Sequence, residues 1–264
     1  MLFSLGETMG NLIDLTKKSG IVLEKNGLAD VIANIKVATD VSGSMWGRFQ
    51  NGTVQEVLDR LLGIGMNMDA NKSIEVFAFN TASKYIGTVN EKNHADFVKK
   101  VFMKKTAIDG GTNYAPVMHA ILESSGCPVK PIKVQEVVEK KGFFNKLFGK
   151  TEVIEKDAEI ERLPLDHPTF VFFITDGANW DRAEAEHVIR EAAKVGVFWQ
   201  FVGIGNESFP FLEKLDNLQG RYVDNADFFP VEDIMALSDE KLYELLLKEF
   251  PSWLKEAKAK NLIK

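Results

Sequence analysis

The spacing of apolar residues changes repeatedly along the chain, and each change marks an element. Leu12-Ile-Asp-Leu and Ile21-Val-Leu-Glu are short β-like runs separated by Lys17-Lys-Ser-Gly20, which reads as a turn. Over residues 29–39, Val31, Ala33, Ile35 and Val37 alternate with other residues, the period of a strand. Residues 53–68 switch to helical spacing, with Val54, Val57, Leu58, Leu61 and Leu62 on one stripe. A strand over 73–79, an edge strand or hairpin over 85–89 and an amphipathic helix over 93–105 follow. Gly110, Gly111 and Thr112 then lead into a helix from about 114 to 124.

The second half repeats this alternation. Residues 169–175 carry almost no polar side chain, as expected of a parallel strand covered by helices on both faces. A helix over 182–195, a strand over 197–204, a short helix over 209–218 and a last strand over 221–223 come next. A C-terminal helix over about 239–263 follows, in which Pro251 kinks or restarts the turn. Strands alternating with helices predict an α/β fold with a doubly wound, mostly parallel sheet. The first runs add an N-terminal β-hairpin, so residues 1–34 read as a β extension packed on a domain spanning 35–264. Between about 127 and 167 lie roughly forty residues, long for a connection in a compact domain. Their charged, partly alternating flanks predict an inserted arm tipped by Phe143, Phe144, Leu147 and Phe148 among four lysines. That tip either folds back onto the body or meets a partner or membrane surface.

Composition narrows the function. The 264 residues are 45% hydrophobic and 27% charged, an ordinary globular balance. Thirty-two basic against 38 acidic residues give a charge of −6, which argues against a general nucleic-acid binder. Cys127 is the single cysteine, so neither an internal disulfide nor a cysteine-based zinc site is expected. The first residues lack the basic start of a secretory signal, and no apolar run approaches the about 20 residues of a membrane span. A cytoplasmic location is the expectation.

Three short stretches stand directly after or before predicted elements. Asp40-Val-Ser-Gly-Ser44 follows the first strand of the domain, Gly111-Thr112 precedes a helix, and Thr175-Asp-Gly177 follows the apolar strand. Ligands of open α/β sheets bind beyond the carboxyl ends of strands, where strand order reverses. Asp40, Ser42, Ser44, Thr112 and Asp176 offer two carboxylates and three hydroxyls, hard donors suited to Mg²⁺, Mn²⁺ or Ca²⁺. Singly, each has a plainer explanation, as a helix cap or an Asx turn; on neighbouring loops they point to a metal site.

In these residues the chain resembles the von Willebrand factor A (vWA) domain and its metal-ion-dependent adhesion site, written D-x-S-x-S, then T, then D. The likeness covers about 35–229, interrupted by the insertion. The lead-in through Leu15-Thr-Lys17 and residues 21–30, with Gly110-Gly-Thr-Asn-Tyr-Ala-Pro116 and Phe173-Ile-Thr-Asp-Gly177, resembles the bacterial TerF-like branch linked to tellurium resistance. The resemblance implies a Rossmann-like vWA fold in which Ser42, Ser44 and Thr112 coordinate the ion directly, and Asp40 and Asp176 directly or through water. It also implies a role in bacterial stress tolerance.

Beside the motif stand Met45, Trp46, Arg48, Phe49, Tyr114, Asn179, Trp180 and Arg182, residue types enriched at interface hot spots. If the loops converge, these form a rim around the ion, and a partner's carboxylate supplies its last ligand, steered by Arg48 or Arg182. The plainer alternative is that Trp46 and Trp180 only cover the sheet. Catalysis is not indicated: the chain lacks a phosphate loop, and the run from Gly203 to Ser208 lacks the third glycine of a dinucleotide fingerprint. His94, His119, His167 and His187 fall on separate elements, and Cys127 reads as a packing residue. Two alternatives stay open. One is a metal-dependent hydrolase with Asp109 or Asp181 as base; the other is a scaffold binding through the insertion tip.

Overall fold

The computed structural model describes residues 5–127, 132–139, 151–158, 163–177 and 179–264. Helix α1 (Leu5–Lys25) precedes strand β1 (Asn34–Asp40); a 3-10 turn (Gly43–Met45) and α2 (Trp46–Gln50) then lead to α3 (Thr53–Met68). Next come β2 (Ser73–Phe79), β3 (Ser83–Asn90), a π-helical turn (Val98–Phe102) running into α4 (Met103–Lys105), and α5 (Ala115–Ser124). After β4 (Ile132–Glu139) and β5 (Thr151–Ala158), the chain continues through β6 (Thr169–Thr175), α6 (Arg182–Ala192), β7 (Val197–Ile204) and α7 (Pro210–Asp216). It ends with β8 (Ala226–Val231), α8 (Asp239–Leu246) and α9 (Phe250–Ala259).

Six strands form the main sheet in the order β3-β2-β1-β6-β7-β8, with every pair parallel except the antiparallel edge β2–β3. Strands β6 and β7 are buried at every position, because helices cover both faces. One face packs Ile35, Val37, Phe170, Phe172 and Phe198 against α1, α3, α8 and α9; Phe170 and Phe250 stack with ring centroids 4.3 Å apart. The other face packs Phe173, Val197, Trp199 and Phe201 against α5, α6 and α7. Strand order reverses between β1 and β6, so the loops leaving them flank one crevice at the carboxyl end of the sheet.

The mixed, mostly parallel sheet agrees with the sequence reading; the N-terminal β-hairpin does not. Residues 5–25 form one helix. Leu12, Leu15, Ser19, Val22 and Leu23 are buried, a helical stripe in which serine takes a core position. Ser19 fits because its hydroxyl bonds the Gly63 carbonyl of α3 at 2.7 Å and accepts from Asn67 at 2.9 Å. Gly20 lies inside the helix and ends nothing.

Two smaller differences have local causes. The helix expected over 93–105 is confined to the turns after Phe97: His94 is buried against Asp59, and the Gln55 side-chain carbonyl accepts from the Val98 amide at 3.0 Å. The last strand lies at Ala226–Val231, five residues beyond the expected 221–223, where Arg221 pairs with Asp224 in a tight turn. Pro230 is tolerated in β8 because the strand is a sheet edge. Pro251 restarts the C-terminal segment as α9. Strands β4 and β5 pair antiparallel from Ile132↔Ala158 to Glu139↔Thr151. The tip with Phe143, Phe144, Leu147 and Phe148 lies outside the described residues.

Candidate metal centre

Asp40 ends β1, and its carboxylate is fixed at both oxygens. Oδ1 accepts the Ser42 amide at 2.7 Å, bending the chain into the turn, and Oδ2 accepts the Thr175 hydroxyl at 2.6 Å. Thr175 is the last residue of β6, so this bond ties the two central strands together at the crevice. Ser42 Oγ lies 3.1 Å from Ser44 Oγ, which donates to Asp176 Oδ1 at 2.8 Å. A chain of oxygens therefore runs from the first loop to the loop after β6. Thr112 is buried on the third loop, held to both others: the Gly43 amide bonds the Gly110 carbonyl at 3.3 Å, and the Trp180 amide bonds the Thr112 carbonyl at 3.0 Å.

Supporting residues hold these loops. Asp181 accepts the amides of Tyr114 and Ala115 at 3.0 and 2.7 Å, capping α5 from the neighbouring loop, and accepts Asn179 Nδ2 at 2.7 Å. The Tyr114 hydroxyl donates to the Gly177 carbonyl at 2.7 Å. Gly111 leaves room for the Trp180 ring, which a Cβ there would meet at 2.2 Å and have to push aside.

The residues expected at the rim divide into two groups. Met45, Phe49, Tyr114 and Asn179 are buried, the first three within the hydrophobic core. Trp46 and Trp180 face solvent at 52% and 75% exposure. Arg48 does not stand free to steer a ligand, whereas Arg182 is exposed. Arg48 turns inward, its Nη1 2.6 Å from Asp176 Oδ2 and its Nη2 bonded to the Ile204 carbonyl at 2.8 Å. Arg182 lies over the Phe211 ring at 5.6 Å. Thr175, inside the Thr175-Asp-Gly run, holds Asp40 in place, a role its sequence context alone does not signal. Asp181, a candidate base only under the hydrolase alternative, has its carboxylate engaged as a helix cap.

Burial pushes the Asp40 carboxyl up to about 6, against the opposing bonds from Thr175 and Ser42, and the nearby Asp176 charge adds to the rise. Asp176 is also raised, by burial first; its bond from Ser44 and the Arg48 charge oppose this, and Glu207 reinforces it. Two carboxylates held above their ordinary range and a run of hydroxyl oxygens form a donor set short of positive charge. Arg48 supplies one cation on the outer oxygen of Asp176. The set fits a hard divalent ion, which would more than offset the remaining negative charge.

A sheet of this topology, with this oxygen-lined crevice at its strand-order reversal, is the architecture of a von Willebrand factor A domain. The chain belongs to the vWA-TerF-like family, the vWA domain found at the C terminus of TerF, which matches over residues 32–131 and 132–263. It is 34% identical over 255 residues to YcbR of Bacillus subtilis (strain 168), described as uncharacterized, covering 96% of this chain and 90% of that one. Among solved structures, proximal thread matrix protein 1 of the mussel byssus is similar, with a TM-score of 0.49 and 16% identity over 83% of this chain. The present chain spans 48% of that protein's length. A second structure of the thread protein, described as having a zinc-occupied MIDAS motif, gives a TM-score of 0.47 at 17% identity, covering 83% of this chain and 48% of that one. The SpRpn10 VWA domain gives a TM-score of 0.46 at 10% identity, covering 80% of this chain and 94% of that one.

Proposed function

We propose that this chain is a metal-dependent protein-interaction module. Asp40, Ser42, Ser44, Thr112 and Asp176 hold a divalent cation, Mg²⁺ before Mn²⁺ or Ca²⁺, and an acidic group of a protein partner completes its coordination. The bound ion would supply Lewis acidity toward that anion. The chain's own residues would set the loops, and Trp46 and Trp180 would shield the contact from water. The observation that carries this reading is the continuous run Ser42–Ser44–Asp176, which reaches solvent at Ser44 between loops rimmed by exposed tryptophans.

Family membership supports a place in bacterial tolerance of tellurite or related chemical stress, in a cytoplasmic complex. No helix among the described residues is long and apolar enough to cross a membrane. Binding is favoured over hydrolysis because Asp181 is committed to three donors. The test is affinity capture from a bacterial lysate with and without EDTA. Capture should vanish on chelation, return with Mg²⁺ or Mn²⁺, and fail for Asp40→Ala; capture indifferent to chelator and substitution overturns the reading.

A further inference from the structure

A second group of acids lies at the β8 edge of the sheet, on residues that share nothing with the β1 and β6 loops. Asp216 ends α7, Asp227 is the second residue of β8, and Glu249 immediately precedes α9. One carboxylate oxygen from each lies within 4.8 Å of the others. That is the span open to ligands about 2.4 Å from a common centre, the usual Ca²⁺–oxygen distance.

Three carboxylates alone would be unremarkable, but a fourth group converges on them. Gln200 of β7 is the register partner of Asp227 on the neighbouring strand. Its amide is fully buried and bears on the Asp227 carboxylate, yet neither Nε2 nor Oε1 finds a partner in hydrogen-bonding geometry. Such a buried, unpartnered amide costs about 1–3 kcal/mol unless something satisfies it. Rotated about its terminal bond, the amide would present its oxygen as a neutral donor beside three anionic ones.

The neighbouring cations offset these charges only in part, and burial with the mutual repulsion of the acids keeps Asp216 and Asp227 raised. Arg221 bonds the backbone carbonyls of Asp216 and Leu218 and the side chain of Asp224. Lys248 reaches Glu249 at 3.1 Å from a mostly exposed position and can swing away.

We infer that Asp216, Asp227, Glu249 and the Gln200 amide oxygen form a second divalent-cation site, of the Ca²⁺ class, joining α7, β7, β8 and the α8–α9 junction. The donors are all hard oxygens, and three of them are charged, which suits Ca²⁺ and disfavours zinc or copper. The ion would pin the end of α7 and the start of α9 to the edge strand.

This inference is independent of the loop site, and its test keeps the two apart. Ca²⁺ binding is measured by titration calorimetry on the full chain and on a Ser44→Ala/Thr112→Ala variant that cripples only the loop site. The variant should retain one Ca²⁺, and at roughly 100-fold its Kd the ion should raise Tm by about 5 °C or more. In that background Asp227→Asn should weaken binding at least tenfold, and Gln200→Leu several-fold. Asp227→Asn should be no less stable than its parent in EDTA, since it removes one of three like charges. Glu249→Gln, at a partly exposed position, is the second variant should Asp227→Asn fail to fold. If the loop-site variant binds no Ca²⁺ at millimolar concentration, Arg221 and Lys248 suffice for the cluster and the inference falls. It falls equally if Asp227→Asn and Glu249→Gln bind as tightly as their parent.

Discussion

At the scale of single residues, Asp40 shows how the fold prepares an anion for a cation. Its carboxylate is desolvated, yet each oxygen holds a donor, and the Thr175 hydroxyl favours the charged form against burial. Thr175→Val removes that donor while keeping the shape. Hydrogen bonds to charged groups contribute about 1.5–3 kcal/mol, so Mg²⁺ affinity measured by calorimetry should fall by roughly tenfold or more. The loss should be larger at pH 6 than at pH 8, because without that donor the Asp40 carboxyl, already pushed up to about 6, rises further and is more fully protonated at pH 6. Gly111 controls the rim in a different way. With the Trp180 ring 2.2 Å from where a Cβ would stand, even alanine must displace either the ring or the Thr112 loop.

Among the elements, α1 changes most from what the sequence suggests. It lies along α3, where a Cβ on Gly63 would stand 2.9 Å from the Tyr243 hydroxyl and 3.1 Å from the Leu15 backbone. Gly63→Ala therefore overpacks the seam between α1, α3 and α8. Chemical denaturation should show a loss of about 1–3 kcal/mol, with the metal loops unaffected. The central strands and α3 were legible because period and burial agree: 169–175 and 197–204 are apolar throughout, and the α3 stripe repeats at helical spacing. Helix α1 was not, because its core stripe includes Ser19, whose burial depends on the Gly63 carbonyl and Asn67 far along the chain. Strand β8 was hidden by Asp227 and Pro230, residues a central strand excludes but an edge accepts. The five oxygen-bearing residues were legible as a pattern. The inward turn of Arg48, which depends on the Ile204 carbonyl at the end of β7, was not.

For the whole molecule, buried acids couple stability to pH in an unusual sense. Asp40 stands at about 6, Asp216 at about 7 and Asp227 at about 6, against an ordinary value of 3.8, with burial the leading cause in each. The folded chain therefore binds more protons than the unfolded chain between these limits, and stability falls as pH rises through about 6–7. In EDTA, Tm should be higher at pH 6 than at pH 8, and a divalent cation should flatten that difference by taking the place of the protons. A Tm that climbs with pH in chelator would contradict it. The placement of the four tryptophans has a further consequence. Trp46 and Trp180 stand in solvent at the crevice, whereas Trp199 and Trp253 are sealed in opposite faces of the core. The protein thus carries its own optical reporter: acrylamide should quench its emission in two populations, one reachable and one not. A macromolecule docked across the loops should shrink the reachable fraction, and Trp46→Phe/Trp180→Phe should abolish it.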